Sequence, residues 1–268
     1  MFVQREYQSA AQGLPLPRDT WLPDLQVMTA RDKEGSTDGF FLAAKGGSNE
    51  GAHSHNDIGS FVVYYNGFPL LIDVGSGTYT RRTFSSKRYE IWSNRSAYHN
   101  VPTINGQEQL HGARYQARDV VYRGEDDRAA LTLDLAMAYP ESAGVRHWTR
   151  YISLQRGREV RIEDAVELSE EKTVTEHLIT CYPAEMVQPG KVVIRYAPKE
   201  AKALDFAIEY DPARFDVAVE KIKLGTREDR GIQRNWGDGL HRINFQAKTP
   251  RNADQYRWRI VPLPGDRP

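Results

Sequence analysis

The sequence of 268 residues has no excess of charge of one sign, because 36 Lys and Arg balance 36 Asp and Glu. Proteins that bind nucleic acid normally carry an excess of basic residues, so this class is disfavoured. Long apolar runs are also missing, since no stretch reaches the roughly 18 residues of a membrane-spanning helix. The longest candidate, residues 61–74, is interrupted by Asn66, Gly67 and Pro69. We therefore expect neither nucleic acid nor a membrane as a partner.

Cysteine is nearly absent, which limits the covalent chemistry of the chain. Cys181 is its single cysteine, so no intramolecular disulfide can form. Its place between Thr180 and Tyr182 in a strand-like run favours a buried thiol over a reactive one. The first residues contain no basic start followed by an apolar core, which indicates that they are not a signal peptide. A secreted parent protein could still carry one upstream.

Long amphipathic helices and internal repeats are missing as well. In their place, short segments rich in β-branched, aromatic and leucine residues alternate with turn residues. Leu131, Leu133 and Leu135, for example, alternate with polar residues as in a strand with one buried face. Helical segments are expected only near 87–92 and at 169–172. Strands are expected at 39–44, 58–65, 68–74, 101–104, 119–122, 129–136, 147–154, 159–167, 173–182, 192–196, 204–210, 215–220, 241–246 and 255–261.

So many short strands at regular spacing predict an all-β fold, a large antiparallel two-sheet β-sandwich. Residues 1–38 differ, because they contain three prolines and show little periodicity. We interpret residues 1–38 as an irregular N-terminal arm, a linker from a preceding domain that lies over the sandwich. The sandwich domain would then comprise residues 39–268. For the first ten residues, a disordered lead is an equal alternative.

Four of the seven histidines lie between residues 51 and 111. His53 and His55 are two residues apart, so in an extended segment their rings lie on the same side. Asn66-Gly67 separates two strand-like runs and predicts a hairpin with a type I′ turn. The returning strand of that hairpin brings Asp73 back beside the start of the first strand.

This grouping of His and Asp indicates a possible metal site. Asp73 lies in an apolar run, where a carboxylate is costly to bury unless it binds a cation or accepts hydrogen bonds. His99 can supply a further ligand from the next segment. Imidazole nitrogen and carboxylate oxygen are common zinc donors. For each histidine, a hydrogen-bonded or surface ring is the alternative, and Asp73 can instead accept backbone hydrogen bonds near Gly75.

Three motifs in this part of the chain resemble those of the C-terminal β-domain of heparinase II/III-like polysaccharide lyases. They occur in the order found in that family and cover a small part of the chain densely. The motifs are His53-x-His55-Asn56-Asp57-x-Gly59-Ser60-Phe61, then Ile72-Asp73-Val74-Gly75, and finally Tyr98-His99-Asn100 followed by VPTING at 101–106.

The resemblance implies a fold, an activity and a cofactor. Members of the family join an N-terminal (α/α) toroid to an antiparallel β-sandwich and cleave uronic-acid-containing polysaccharides, such as heparan sulfate or alginate, by β-elimination. By this resemblance Zn²⁺ would be held by His55, Asp73 and His99. His53 would point to the substrate cleft as a catalytic residue. A periplasmic or secreted location in a bacterium is implied in the same way.

The sequence departs from the family by lacking the helical toroid, which supplies the catalytic tyrosine in relatives. Residues 1–38 are too few to form it. We therefore expect a fragment of a larger lyase, inactive without the helical domain of its parent chain. The expected partners are that domain and an acidic, uronate-containing polysaccharide.

Tyr79, Arg88 and Tyr89 are weaker candidates for substrate contacts. The arginine belongs to a basic cluster that can bind sulfate or carboxylate groups, although a solvated basic loop explains the cluster equally well. Each tyrosine is more often a packed aromatic. Two other functions stay open at this point: a non-catalytic carbohydrate-binding β-sandwich with a structural metal, and a zinc hydrolase on a barrel.

Overall fold

The structure is a computed structural model and describes residues 15–51, 53–200 and 202–264. Strands dominate this part of the chain. The strands are β1 (Asp19–Leu22), β2 (Val27–Arg31), β3 (Phe40–Lys45), β4 (Ser48–Asn49), β5 (Phe61–Tyr65), β6 (Phe68–Leu71), β7 (Pro102–Ile104), β8 (Gly112–Gln116), β9 (Arg118–Gly124), β10 (Arg128–Asp134), β11 (Val145–Gln155), β12 (Glu159–Lys172), β13 (Val174–Thr180), β14 (Ala184–Gln188), β15 (Lys191–Tyr196), β16 (Leu204–Tyr210), β17 (Phe215–Lys223), β18 (Gly239–Ala247) and β19 (Arg251–Pro262).

Helical structure in the described residues is short. The α-helix is α1 (Arg230–Trp236). The 3₁₀ helices are η1 (Arg81–Phe84), η2 (Arg88–Glu90), η3 (Trp92–Asn94), η4 (Ser96–Tyr98), η5 (Ala136–Ala138) and η6 (Glu141–Ala143). Among the residues described, no helix has the length and apolar character needed to cross a membrane.

The strands form four sheets in which the paired strands run antiparallel. The largest has eight strands in the order β14-β15-β16-β19-β12-β11-β10-β9. A five-stranded sheet has the order β1-β2-β3-β5-β6, a four-stranded sheet has the order β17-β18-β13-β7, and β4 pairs with β8. The eight-stranded sheet ends at two edge strands and does not close. A barrel is therefore excluded, and with it the fold assumed for a zinc hydrolase.

The eight-stranded sheet is one layer of a β-sandwich, and the five- and four-stranded sheets together form the other. Those two sheets adjoin where the backbone N–H of Ile72 donates to the carbonyl of Ile179, at 2.9 Å. Aromatic rings fill the space between the layers. Phe40 packs on Phe206 with ring centroids 5.9 Å apart, and Phe215 packs on Trp258 at 5.2 Å. The all-β sandwich expected from the sequence is confirmed.

Alternating burial along the strands explains why these segments pair as they do. In β3, Phe40, Leu42 and Ala44 are buried, while the residues between them are partly exposed. Leu131 and Leu133 in β10 are fully buried, as their alternation predicts. Burying one such leucine contributes roughly 1.5–3 kcal/mol, so each strand has a strong preference for the register that turns this face inward.

All the strands expected from the sequence are present, but the short strands β1, β2, β4, β8 and β14 were not expected. β1 and β2 correct the interpretation of residues 1–38 as an irregular arm, because they extend the five-stranded sheet at its edge. Residues 1–14 of that arm lie outside the described residues. Residues 169–172, expected to be helical, form the end of β12 because they continue the sheet. The short α1 was not expected either.

Candidate metal centre

The hairpin of β5 and β6 forms as the sequence predicts. Its turn residues Asn66 and Gly67 have φ values of 49° and 82°, both positive as a type I′ turn requires. Tyr65 pairs with Phe68, and a β-bulge then shifts the register by one residue. Asp73 follows β6 by two residues, and its Oδ1 accepts a 2.7 Å hydrogen bond from the N–H of Gly75. The hairpin therefore delivers this carboxylate to the sheet edge beside β13.

The structure brings together the three residues expected to be metal ligands. One ligand atom from each of His55, Asp73 and His99 lies within 4.8 Å of the others. The shortest of these contacts joins His99 Nδ1 to Asp73 Oδ2 at 2.8 Å, and the two imidazole ring centroids are 5.1 Å apart. Ligands bound about 2 Å from one zinc ion lie roughly 3–4 Å from each other. The three groups therefore lie close to the spacing of ligands around a common cation, with His99 and Asp73 hydrogen-bonded to each other.

Burial and mutual proximity shift the protonation of this cluster. Burial, followed by the nearby His99, lowers the pKa of His55 to about 4. Burial acts to raise the pKa of Asp73, but the two imidazoles and the Gly75 N–H hold it well below its usual range. His55 is therefore neutral and Asp73 ionised at neutral pH, which are the forms that bind a metal. Burial acts to lower the pKa of His99, but Asp73 outweighs it and raises the pKa.

One polar atom of the cluster has no partner. His99 is fully buried, and its Nε2 makes no hydrogen bond to any described residue. An unpaired buried nitrogen is unfavourable by about 1–3 kcal/mol, so this group needs a partner that the described part of the chain does not supply. Two imidazoles and a carboxylate are a donor set that suits zinc. The residues present therefore fit a bound Zn²⁺ ion.

His53 lies outside this cluster. Its ring is exposed and contacts Phe84 at a centroid distance of 5.7 Å and Tyr79 at 6.3 Å. Tyr79 and Phe84 are 55% and 63% exposed and contact each other at 5.5 Å. The sequence places His53 and His55 on one side of an extended segment, but the structure has a turn here, and one ring faces outward while the other faces the cluster. The sequence analysis did not single out Phe84.

Arg88 and Tyr89 do not face solvent as free substrate-binding groups. The guanidinium of Arg88 is buried and donates to the backbone carbonyls of Ser54 and Thr83. The hydroxyl of Tyr89 contacts the carbonyl of Ser54 at 3.2 Å and Nδ1 of His111 at 2.8 Å. Both side chains contact the loop that carries His53 and His55, through the carbonyl of Ser54. Only Tyr79, among the three weaker candidates, is exposed.

Asn100 holds the two segments that carry Asp73 and His99. Its buried side-chain amide donates to the carbonyl of Phe61 at 2.6 Å and to that of Ile72 at 3.2 Å. Its side-chain oxygen accepts the N–H of Ile179 at 2.8 Å. The residues before Asp73 and after His99 are thus tied together. The sequence offered the His-Asn pair as a signal for this residue, but not its long-range partners.

Arg150 supports the same region from the eight-stranded sheet. It is fully buried and binds Asp164 through Nε at 2.9 Å and Nη2 at 2.6 Å, and Glu176 through Nη2 at 2.7 Å. Its Nη1 donates to the carbonyls of Gly59 and Asn100, at 3.3 and 3.1 Å. This arginine was not singled out from the sequence, because isolated charged residues in strands give no sign of burial.

Comparisons with known proteins agree on one family and one fold. The family profile described as Heparinase II/III-like, C-terminal, matches residues 15–237. The crystal structure of heparan sulfate lyase HepC from Pedobacter heparinus is similar, with a TM-score of 0.70 and 15% identity over 93% of this chain and 37% of that chain. A heparinase III, the BT4657 gene product, gives a TM-score of 0.70 and 16% identity over 96% of this chain and 38% of its own.

The chain thus spans little more than a third of the length of these structures. At this level of sequence identity, the similarity establishes the shared fold. No curated protein matches the chain.

Proposed function

The chain belongs to the heparinase II/III-like family, in its C-terminal domain, and we propose that it is the zinc-bearing β-sandwich of a polysaccharide lyase. The substrate class proposed is an acidic polysaccharide that contains uronic acid, like the heparan sulfate named for HepC or an alginate-like polymer. The observation that carries the proposal is the cluster of His55, Asp73 and His99 within 4.8 Å, with an exposed His53 beside it.

β-Elimination at a uronate requires three catalytic functions. A base removes the weakly acidic proton at C5, the charge that develops on the carboxylate is stabilised, and an acid protonates the leaving oxygen at C4. Imidazole exchanges protons near neutral pH, so exposed His53 suits the base or the charge-stabilising task. We assign His53 as the catalytic residue of this chain, with Tyr79 next to it as a weaker substrate contact.

The three ligand residues support this assignment indirectly. His55 is separated from His53 by a single residue, so fixing one ring fixes the backbone that aims the other. Zinc bound to His55, Asp73 and His99 would supply a rigid cross-link between the loop, the hairpin and the segment before β7. His53 then acts from a fixed position, and no part of the elimination is assigned to the ligand residues.

The remaining tasks need groups that we do not assign to this chain. Relatives of known structure are more than twice as long, and an N-terminal helical domain of a longer parent would supply the acid at the leaving oxygen. We propose that the isolated chain has little or no lyase activity. A periplasmic or secreted bacterial location suits an enzyme that acts on an extracellular polymer.

The experiment that tests this function compares His53→Ala with wild type in the full-length parent lyase, together with zinc analysis of both. We expect both proteins to hold one zinc ion, and the variant to lose the ultraviolet absorbance that marks an unsaturated uronate product. Unchanged elimination by the variant would refute the role of His53. Absence of zinc from the wild type would refute the metal site.

A second function is a carbohydrate-binding module without chemistry. The observation that favours it is the exposed pair of rings, Tyr79 and Phe84, since aromatic faces stack on sugar rings. The same experiment separates the two functions. A parent protein that binds the polysaccharide but forms no unsaturated product, with His53 or without it, would support the binding module.

A further inference from the structure

The carbonyl oxygen of Ser54 accepts hydrogen bonds from two consecutive side chains. Arg88 approaches it with Nε at 3.3 Å and Nη2 at 3.2 Å, and the hydroxyl of Tyr89 approaches it at 3.2 Å. Ser54 is the single residue between His53 and His55. These contacts therefore act on the peptide that separates the exposed histidine from the one that faces the metal centre.

Arg88 is an unusual residue for such a position. Its side chain is buried, and Nη1 donates to the carbonyl of Thr83 at 2.9 Å. Within residues 15–51, 53–200 and 202–264 it forms no salt bridge to a carboxylate, although most buried arginines are paired. A buried charge that is satisfied by carbonyls alone adds little stability. The planar fork of the guanidinium does, however, fix the directions of the two carbonyls that it binds.

Tyr89 is held rigidly on its other side. Its ring stacks on that of His111 with centroids 4.8 Å apart and planes at 29°, and its hydroxyl lies 2.8 Å from His111 Nδ1. Helix η2 carries Arg88 and Tyr89 one after the other, so both side chains reach the same carbonyl. The side-chain amide of Asn94 donates to the carbonyl of Arg88 at 3.1 Å, which anchors η2 in turn.

The loop has few other restraints at this point. The N–H and hydroxyl of Ser54 both contact the carbonyl of Gly51, at 3.0 and 2.6 Å, which is a turn within the loop itself. The next ties to the rest of the fold are Nε2 of His55, which lies 3.3 Å from Oγ of Ser76, and the N–H of Asn56, which donates to the carbonyl of Asn94 at 3.0 Å. Rotation of the peptide at Ser54 would move both histidine rings. The contacts from Arg88 and Tyr89 are therefore well placed to prevent it.

We propose that Arg88 and Tyr89 are positioning residues, which hold the Ser54 carbonyl so that His55 faces Asp73 and His99 while His53 faces solvent. The inference rests on the proposed zinc site. It replaces the substrate contacts expected for Arg88 and Tyr89 from the sequence. Groups that orient a metal ligand typically change metal affinity by 10–100-fold when they are removed.

The test is the affinity of the 268-residue chain for Zn²⁺ alone, measured by competition with a chromophoric chelator. Arg88→Met removes all three guanidinium contacts and should weaken zinc binding by about 10–100-fold. Tyr89→Phe removes one hydroxyl and should weaken it by about 2–10-fold, the equivalent of one hydrogen bond. The matched controls are Arg82→Met and Tyr79→Phe, both exposed and on the same segment. They should bind zinc as the wild type does.

A second readout separates positioning from a merely structural role. The unfolding temperature in excess chelator reports the fold without metal, and the isosteric Tyr89→Phe should leave it unchanged while weakening zinc binding. Arg88→Lys is a second variant, which retains the positive charge but not the planar guanidinium. The inference would be overturned if Tyr89→Phe and Arg88→Lys both bound zinc with wild-type affinity. This outcome can be measured even if Arg88→Met fails to fold. A wild-type chain that does not bind zinc would instead overturn the proposed metal site, and the inference with it.

Discussion

Two polar clusters lie close together in this sandwich, and they balance their charges differently. At the centre, Arg150 binds Asp164 and Glu176, so the protein itself supplies a cation to the two acids, and burial raises the pKa of Glu176 to about 8. At the sheet edge, Asp73 lies between two imidazoles, and the buried Nε2 of His99 has no partner among the described residues. The first cluster contains a permanent cation, whereas the charge of Asp73 in the second is balanced only by protonation of His99, whose pKa it raises, or by a bound metal ion.

This difference shows why buried polarity is not in itself evidence of function. Both clusters contain buried side chains, although Asp73 is partly exposed, and both tie several segments together. The arginine cluster even contacts the segment that carries His99, through the carbonyl of Asn100. What distinguishes the edge cluster is its composition, because imidazole and carboxylate together are metal ligands. Four predictions test the comparison.

The largest effect is expected from Arg150→Met. The substitution leaves Asp164 and Glu176 buried without their cation, and breaking a buried pair in this way typically destabilises by 3–5 kcal/mol. We expect a loss of about that size or larger in urea unfolding. The triple variant Arg150→Met, Asp164→Leu, Glu176→Leu should recover part of it, because no unpaired charge is left. If the single variant were as stable as wild type, the central cluster would not depend on its cation.

The next largest change in stability is expected from zinc binding. A ligand that binds only the folded state at 100–1,000 times its dissociation constant stabilises it by about 2.7–4.1 kcal/mol. Saturating Zn²⁺ should therefore raise the unfolding temperature of wild type, and excess chelator should reverse the change. In Asp73→Asn the zinc-dependent increase should be lost. An increase of equal size in that variant would place the stabilising ion elsewhere.

A loss of stability of similar or smaller size is expected when the pH is lowered, because the buried ring of His177 then becomes protonated. Burial lowers the pKa of His177 to about 4, and its ring bonds to Asn244 and Thr103. The unfolded chain binds a proton near pH 6.5 and the folded chain does not, so this stabilisation is complete above pH 6.5 and is lost as pH falls toward 4. The loss should approach about 3 kcal/mol.

His177→Gln isolates this contribution. Glutamine can hydrogen-bond but does not titrate, so the variant should show a shallower decline in stability between pH 6.5 and 4 than wild type does. Urea unfolding at several pH values measures the difference. Parallel declines in the two proteins would show that His177 is not the group responsible.

The smallest effect is expected from His53→Ala. The ring is exposed and lies outside the ligand cluster, and such surface substitutions usually change stability by less than about 0.5 kcal/mol. Zinc affinity and unfolding temperature should both match wild type, in contrast to the loss of activity expected in the parent lyase. A large loss of zinc affinity would mean that His53 takes part in the metal site.

Much of the fold could be predicted from the sequence. The long strands were found because their buried residues alternate over many positions, as in β10 and β12. The hairpin was found because Asn66-Gly67 suits a type I′ turn. The strands β1 and β2 were missed because four or five residues are too few for alternation to show among prolines. Helix α1 is too short for a helical period to be recognised.

The residues of the candidate site also divide into those that could be predicted from the sequence and those that could not. That His55, Asp73 and His99 lie together was expected from motifs and from the hairpin. The burial of Arg88 was not foreseen, because a basic loop in sequence does not reveal that its guanidinium is buried against Ser54. Phe84 and Arg150 were not singled out, and the long-range partners of Asn100 were not foreseen, since these partners lie on other strands or other loops.

The sequence alone determined the strand pattern, the tight turn and which three residues are candidate metal donors, because these depend on residue type and short spacing. Only the tertiary structure decided how a turn at Ser54 separates the rings of His53 and His55, and which arginines are buried. Those outcomes depend on hydrogen bonds between segments far apart in the chain. Packing selects such partners only once the two layers have come together.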